Sequence, residues 1–423
     1  MPCNCTYSNS LNYDCSYSGP RNPEGRSAGC IMCGKCNKFP VLDTFFKRGF
    51  SSVEETQKRE GFGIAVDIGT TTVVMALLDL KAGSIIVRHS FFNPQQVYGG
   101  DVISRIQAAN DGHLEKLRLL ITESLIKGTG EIFLKSGINH LDEIVIAGNT
   151  VMIHLLLGFS CESLGASPFK VNQKLKSIYA FKEIFPLYNE RGASFAVDSL
   201  LPVRILPWFS AFVGGDIVSG LLSVLLEKKK IFMLLDLGTN GEIALFNDNR
   251  VTVTSCAAGP AFEGHGGASQ VIAELAELIR EKKIDETGLI AKEESGCPVK
   301  KMFFSQKQIR GLQLAKSAVR SAVDILLEES GLNYESIEKV YIAGGIGQAV
   351  NPQDAVITGL IPKELAFKCA AVGNASLAGA VRMLVSPLGA NKDASSLLSD
   401  FKEINLGGHP RFNDLFAGYM FFS

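Results

Sequence analysis

An α/β fold of two similar lobes, preceded by a short cysteine-rich segment, is what the sequence predicts. Two turns of one kind carry that prediction, Asp67-Ile-Gly-Thr-Thr-Thr72 and Asp236-Leu-Gly-Thr-Asn-Gly241. Each follows a strand-forming apolar run, Gly63–Val66 or Ile231–Leu235, and each leads into another, Val73–Leu78 or Glu242–Phe246. A third observation is the strand ending in Ala-Gly later in each half, Ile146-Ala-Gly148 and Ile342-Ala-Gly344. Hairpin, third strand, helices and closing strand recur in the same order, as internal duplication would produce.

Composition narrows the class. At 423 residues the usual ~150 per domain suggests about three domains. Apolar residues at 46% and charged residues at 20% describe an ordinary soluble protein with ample core. A formal charge of −1 gives no electrostatic case for nucleic acid or an acidic membrane surface. No apolar stretch approaches the ~20 residues needed to span a bilayer, and the polar N-terminus lacks the basic and apolar regions of a signal peptide. A cytoplasmic location is the expectation.

The elements follow in order. Residues 1–38 are rich in Cys, Asn, Ser, Tyr and Gly and lack amphipathic period, so a metal or cross-link is needed to order them. Residues 39–59 read as a short helix and charged linker. The meander 64–67, 73–79 and 85–91 opens the globular part. Helices at 101–110 and 114–136 and the buried strand 143–147 come next. Residues 159–205, broken by Pro168, Pro186 and Pro202, read as an insertion or lobe connection. Helix 211–227 then leads into the second lobe. Strands at 231–236, 242–247 and 250–255, helices at 267–281 and 305–330, and strand 339–343 complete the repeat. A final helix spans 373–384. The predicted boundaries are therefore 1–60 for the cysteine-rich segment and linker, 61–205 and 206–384 for the lobes, and 385–423 for a tail packing on them.

A tight turn lined with hydroxyls between two strands presents backbone N–H groups to phosphate oxygens. That makes Gly69, Thr70, Thr71 and Thr72, and Gly238, Thr239 and Asn240, candidate ATP-binding residues. Asp67 and Asp236 are placed to hold magnesium, usually through water. Two such lobes closing on one nucleotide is the expected arrangement. Gly344 and Gly345 end a strand before a helix, where glycine lets backbone pass flat against a nucleoside. Gly-rich loops also serve packing alone.

Other positions read in two ways. Asp216, after Gly214-Gly215, either orients or deprotonates the water attacking the γ-phosphate or caps its helix. Glu263, in the small-residue loop 255–267, either contacts ribose or is solvated in a crossover; His265 reads as structural. Asp101 is predicted to be a helix N-cap. Arg105 either pairs with Asp101 or points to the cleft.

Six of the ten cysteines fall in the first 36 residues: Cys3, Cys5, Cys15, Cys30, Cys33 and Cys36. In a reducing compartment such clustering favours metal over disulfides. Cys30-Ile-Met-Cys33-Gly-Lys-Cys36 places three thiolates around one corner of a cubane cluster. Phe39 stands where ferredoxin runs carry a fourth cysteine, so the missing ligand must come from Cys3, Cys5 or Cys15, with Cys15 the working choice. A [4Fe–4S] cluster is the expected occupant and a closed zinc site the alternative.

Together these stretches resemble the ATP-binding part of the reductive activators of corrinoid enzymes. The resemblance rests on 63–72, Asn93-Pro-Gln95, Gly100-Asp-Val-Ile-Ser-Arg105, Ile146-Ala-Gly-Asn-Thr150, 236–242, 258–264 and 343–347. It implies the actin-like (RNase H-like) fold of the actin, sugar-kinase and chaperone ATPase superfamily. It also implies an iron–sulfur cluster and ATP-driven electron transfer onto cob(II)alamin of a corrinoid protein or methyltransferase. A low-potential electron donor and a homodimer are further expectations. The C-x4-C-x2-C spacing of a plant-type ferredoxin domain is absent from these residues. Two competing readings remain: a small-molecule kinase using Asp216 as base, and a non-catalytic, nucleotide-dependent assembly protein with a zinc knob.

Overall fold

The structure, a computed structural model, describes residues 59–186, 197–238, 240–258, 261, 268–290, 304–345 and 350–422. In chain order it begins with strands β1 (Phe62–Ile68), β2 (Thr72–Asp79) and β3 (Ser84–Phe92). Helices α1 (Val102–Ala108) and α2 (Leu114–Ser136), strand β4 (Glu143–Gly148) and helix α3 (Thr150–Leu157) follow. Short strands β5 (Ile178–Ala180) and β6 (Pro202–Ile205) precede helix α4 (Gly215–Val224). The second meander is β7 (Ile231–Leu237), β8 (Gly241–Asn247) and β9 (Arg250–Cys256). After it come α5 (Ala268–Arg280), α6 (Gln306–Glu329), β10 (Lys339–Ala343), α7 (Pro352–Ile357) and β11 (Cys369–Gly373). Helices α8 (Ala375–Val385) and α9 (Pro387–Ser399), strand β12 (Phe401–Glu403) and helix α10 (Phe412–Gly418) end the chain.

Contacts divide the chain into two units. The first holds described residues up to Lys228 together with Ala375–Asp400, and the second holds Lys229–Asn374 with 401–422. Each has a mixed sheet of the same inner order, β3-β2-β1-β4 in the first and β9-β8-β7-β10 in the second. In each, the first strand pairs antiparallel with its hairpin partner and parallel with the later strand, β1 with β2 and β4, β7 with β8 and β10. A strand flanked on both sides and covered on both faces must be apolar throughout, not alternately. Ile64, Ala65, Val66 and Ile68 of β1 are all at or near zero exposure, as are Met233, Leu234 and Leu235 of β7.

Parallel pairing of β1 with β4 sets Asp67 beside Ala147 and Ile68 beside Gly148. The turn at Gly69 and the start of α3 at Asn149 therefore meet at the carboxyl ends of parallel strands, where open α/β sheets place their ligands. Parallel pairing of β7 with β10 repeats this, setting Asp236 beside Ala343 and so next to Gly344.

Four expectations change. Residues 159–205 are more than an insertion, since they supply β5 and β6, and β6 extends the first sheet parallel to β4. Helix α4, expected to open the second lobe, belongs to the first unit, so the unit boundary falls at Lys228, not at 205. Helix α8, expected to close the second lobe, also belongs to the first unit. It packs on α4, β1 and β4. The tight seam explains this: a Cβ on Gly379 would lie 1.8 Å from the Ser219 carbonyl oxygen, so only glycine lets α8 approach α4 that closely. The tail splits as well, with α9 in the first unit and β12 pairing with β9 in the second.

Candidate functional site

The first hairpin turn is held from behind. Gly69 N–H bonds to Thr72 carbonyl at 3.1 Å, closing the turn. The Asn93 amide donates to Gly69 carbonyl at 2.9 Å, Arg105 to Thr70 carbonyl at 2.6 Å, and Gln96 to Thr71 carbonyl at 2.9 Å. Asn93 N–H also reaches Thr71 carbonyl at 2.9 Å. Three successive carbonyls are thus fixed on one side, and a backbone so oriented turns its amide dipoles toward the other, which suits an anion. Asn149, which caps α3 by accepting from Met152 N–H, donates to the Thr70 hydroxyl at 3.2 Å.

Asp101 caps α1 as predicted, accepting from Ser104 N–H at 2.8 Å and from its hydroxyl at 2.9 Å. Those bonds hold its carboxyl below the ordinary range. Arg105 resolves toward the turn: wholly buried, it bonds to Gly99 and Thr70 carbonyls and the Met152 sulfur, not to Asp101 as an ion pair.

Asp67 and Asp216 are the acidic groups of the first unit's site. Oδ1 of Asp67 accepts from the Ser376 hydroxyl at 2.8 Å. Asp216 stands in the first turn of α4, where Gly214 is the N-cap. Its Oδ1 accepts from Ile217 N–H at 2.9 Å. The Gly214-Gly215 pair exists for close approach, since a Cβ on Gly214 would lie 2.5 Å from Asn149 Cα. The Asp216 carboxyl is pushed up to about 7, first by loss of water and then by the negative charge of Asp67. A carboxyl poised near neutrality beside a second carboxylate can take up or release a proton at working pH.

In the second unit, Gly238 N–H bonds to Asn240 carbonyl at 3.0 Å and closes the matching turn. Gly344 has φ +76°, and a Cβ there would lie 2.4 Å from Asp236 Oδ1 and 2.8 Å from Leu237 carbonyl oxygen. Gly344 thus packs directly on the Asp236 carboxylate, while Gly345 sits one residue farther from Leu237.

Two family models match the chain in succession. The RACo middle region covers residues 62–229, and the C-terminal domain of RACo, the ASKHA domain, covers 230–275 and 268–423. The chain belongs to the RACo family.

Its relatives agree. The chain is 31% identical over 392 residues to the corrinoid activation enzyme RamQ of Eubacterium limosum, covering 77% of this chain and 64% of RamQ. It is 23% identical over 379 residues to the [Co(II) methylated amine-specific corrinoid protein] reductase of Methanosarcina barkeri, covering 75% and 68%. The solved structure of a reductive activator for corrinoid, iron-sulfur protein matches with a TM-score of 0.75 at 28% identity, covering 87% of this chain and 67% of that one. The fold is the actin-like α/β fold of the ASKHA group. The chain spans less than two thirds of RamQ's length.

Within this RACo-family frame, the middle region brings together Asp67, Gly69, Thr70, Thr71, Thr72 and Asp216, and the C-terminal domain brings together Asp236, Gly238, Asn240, Gly344 and Gly345. Thr239, Glu263, His265, Cys15, Cys30, Cys33 and Cys36 lie outside the described residues. Among the described residues no group of three or more His, Cys, Asp or Glu side chains is placed to hold a metal, and no helix is long and apolar enough to cross a membrane. The sequence reading missed Ser376, Gln96 and the Asn149 side chain. Asn149 had a signal, an Asn directly after a buried strand; Ser376, far along the chain from Asp67, had none.

Proposed function

We propose that this chain is an ATP-hydrolysing reductive activase that restores an inactive corrinoid protein or methyltransferase. The observation that carries the reading is the first turn, with its three carbonyls tied back and two carboxylates, Asp67 and Asp216, in the same unit. The amides of Thr70, Thr71 and Thr72 bind phosphate oxygens, and so do those of Thr239 and Asn240 on the turn that Gly238 closes. Asp67 and Asp236 are the carboxylates that would hold magnesium, which would offset phosphate charge there. Asp216 orients the attacking water and accepts its proton at a carboxylate oxygen, which its raised affinity for protons favours. Gly344 and Gly345 pass beside the nucleoside, with Glu263 toward the ribose.

Cys30, Cys33 and Cys36, with Cys15, are the thiolates that hold an iron–sulfur cluster, [4Fe–4S] by their spacing. Bound there, such a cluster would supply one-electron chemistry, relaying an electron from an external low-potential donor to Co(II) of the partner, which would become Co(I). A two-state ATP fold biases its partner interface by the typical ~1–3 kcal/mol, or roughly 40–130 mV for one electron. A cytoplasmic setting suits thiolate ligands and a low-potential donor. The names of RamQ and of the reductive activator support a corrinoid partner.

The test is anaerobic purification with iron supplied, followed by iron and zinc content, visible spectrum, and Mg-ATP calorimetry. Iron with broad visible absorption and ATP binding is expected. Stoichiometric zinc without iron would remove the electron-transfer step, and protein that binds no adenine nucleotide would remove the ATPase.

A further inference from the structure

Arg105 has no exposed surface, yet it carries a full charge. Its guanidinium donates to Gly99 carbonyl at 3.0 Å, to Thr70 carbonyl at 2.6 Å and to the Met152 sulfur at 3.2 Å. None of these partners is charged. Among the described residues no carboxylate forms an ion pair with it. The nearest acidic influence is Asp101, whose carboxylate is engaged by Ser104. Loss of water pulls the guanidinium down to about 10, which marks a cation held where solvent cannot screen it. Carbonyl dipoles satisfy donors but do not neutralise a charge, so a buried cation of this kind is costly on its own.

The side chain lies directly under the turn described above. Its partner, the Thr70 carbonyl, belongs to a peptide whose amide end faces the opposite way. We propose that Arg105 is the fixed counter-charge for the phosphates of a nucleoside triphosphate bound on the Thr70–Thr72 turn, the cation and the anion facing each other across one thickness of backbone. The inference rests on the ATP reading of that turn and adds a residue and a mechanism to it. A field set up before the ligand arrives needs no reorganisation on binding, and low local dielectric makes it act over the short distance involved. The competing role is architectural, in which Arg105 merely supplies donors to two carbonyls. The two roles differ in whether charge is required.

The experiment uses the full chain and calorimetry with Mg-ATP and with adenosine. Arg105→Gln keeps amide donors and removes the charge; Arg105→Lys keeps the charge and loses the fork. Expected are a loss of tenfold or more in Mg-ATP affinity for R105Q, on the order of a modest coupling through protein at short range, with adenosine binding unchanged. R105K should stay within about threefold of wild type. The melting temperature of nucleotide-free R105Q should equal or exceed that of wild type. Wild-type affinity in R105Q overturns the proposal. So does R105K as weak as R105Q, because the fork geometry would then be what matters, and so does an equal loss on adenosine. If R105Q does not fold, Arg105→Met replaces it; failure of both neutral variants also overturns the proposal, since the free protein would then need the cation. Wild-type protein that binds no Mg-ATP defeats the ATPase reading instead, and is tested first.

Discussion

Asp216 sits within the field of Asp67, and together with the loss of water that field holds its carboxyl at about 7, not 3.8. A carboxyl raised in the folded state stabilises relative to the unfolded chain only at low pH. The contribution is intact below the unfolded value and lost as pH rises through about 7. Nucleotide-free Asp216→Asn should therefore be more stable than wild type at pH 7.5, by up to about 4 kcal/mol, and no more stable near pH 4. ATP hydrolysis in the same variant should fall ~100-fold or more at similar ATP affinity. Denaturant titrations at the two pH values and a turnover assay check both. Equal stability and turnover would leave Asp216 as a first-turn acceptor for Ile217 N–H and nothing else.

Ser376 is expected to act through Asp67. Ser376→Ala removes the hydroxyl that bonds Oδ1 at 2.8 Å and with it one restraint on the carboxylate. The magnesium concentration for half-maximal hydrolysis should rise about threefold to tenfold, the net worth of one ordinary hydrogen bond. Ser376→Thr should restore it. A purely structural hydroxyl would lower the melting temperature and leave the magnesium dependence where it was.

Gly344→Ala should cost about 1–2 kcal/mol from its left-handed backbone alone, and its methyl would drive Asp236 aside. Asp236→Ala should weaken Mg-ATP binding without that loss of stability. Comparing the two by thermal unfolding and calorimetry separates the backbone effect from the carboxylate effect. Unchanged Mg-ATP affinity in both variants would remove Asp236 from the site.

The second unit contains a buried lysine of another kind. Lys316 on α6 donates to the carbonyls of Tyr419 and Phe421 at 2.7 and 2.5 Å, and burial lowers it to about 8. A lysine lowered by folding adds stability above the unfolded value of about 10.4 and loses it as pH falls through 8. Wild-type protein should thus gain stability relative to Lys316→Met between pH 7.5 and pH 10, a slope visible in melting temperatures. Parallel curves for the two proteins would show that Lys316 stays charged at little cost.

Much of this was legible before any coordinates. The hairpins at Asp67 and Asp236 stand out because apolar runs and Asp-Gly-Thr turns are local signals, as is the Asp101 cap. Strands β5 and β6 escaped because three or four residues bounded by prolines carry too little pattern to distinguish from a loop. Helix α4 was placed in the wrong unit because its amphipathic period names a buried face and not what covers it. Arg105 stayed undecided for a similar reason: its Thr70 partner is 35 positions away in sequence. For Ser376 and Asp67 the separation is 309 positions, beyond any periodicity or motif.

That separation has a temporal side. Synthesis runs from the N-terminus and domains usually fold as they emerge, yet the first unit includes Ala375–Asp400. Its sheet and phosphate turn leave the ribosome early, but the helix bearing Ser376 leaves only after nearly all of the second unit has been made. A nascent chain halted anywhere before residue 375 would carry Asp67 without its hydroxyl partner and β1 without the helix that packs on it. The unit begun earlier of the two is thus completed only after most of the other, and so its carboxylate site matures only on chains whose second unit has been synthesised through Asn374.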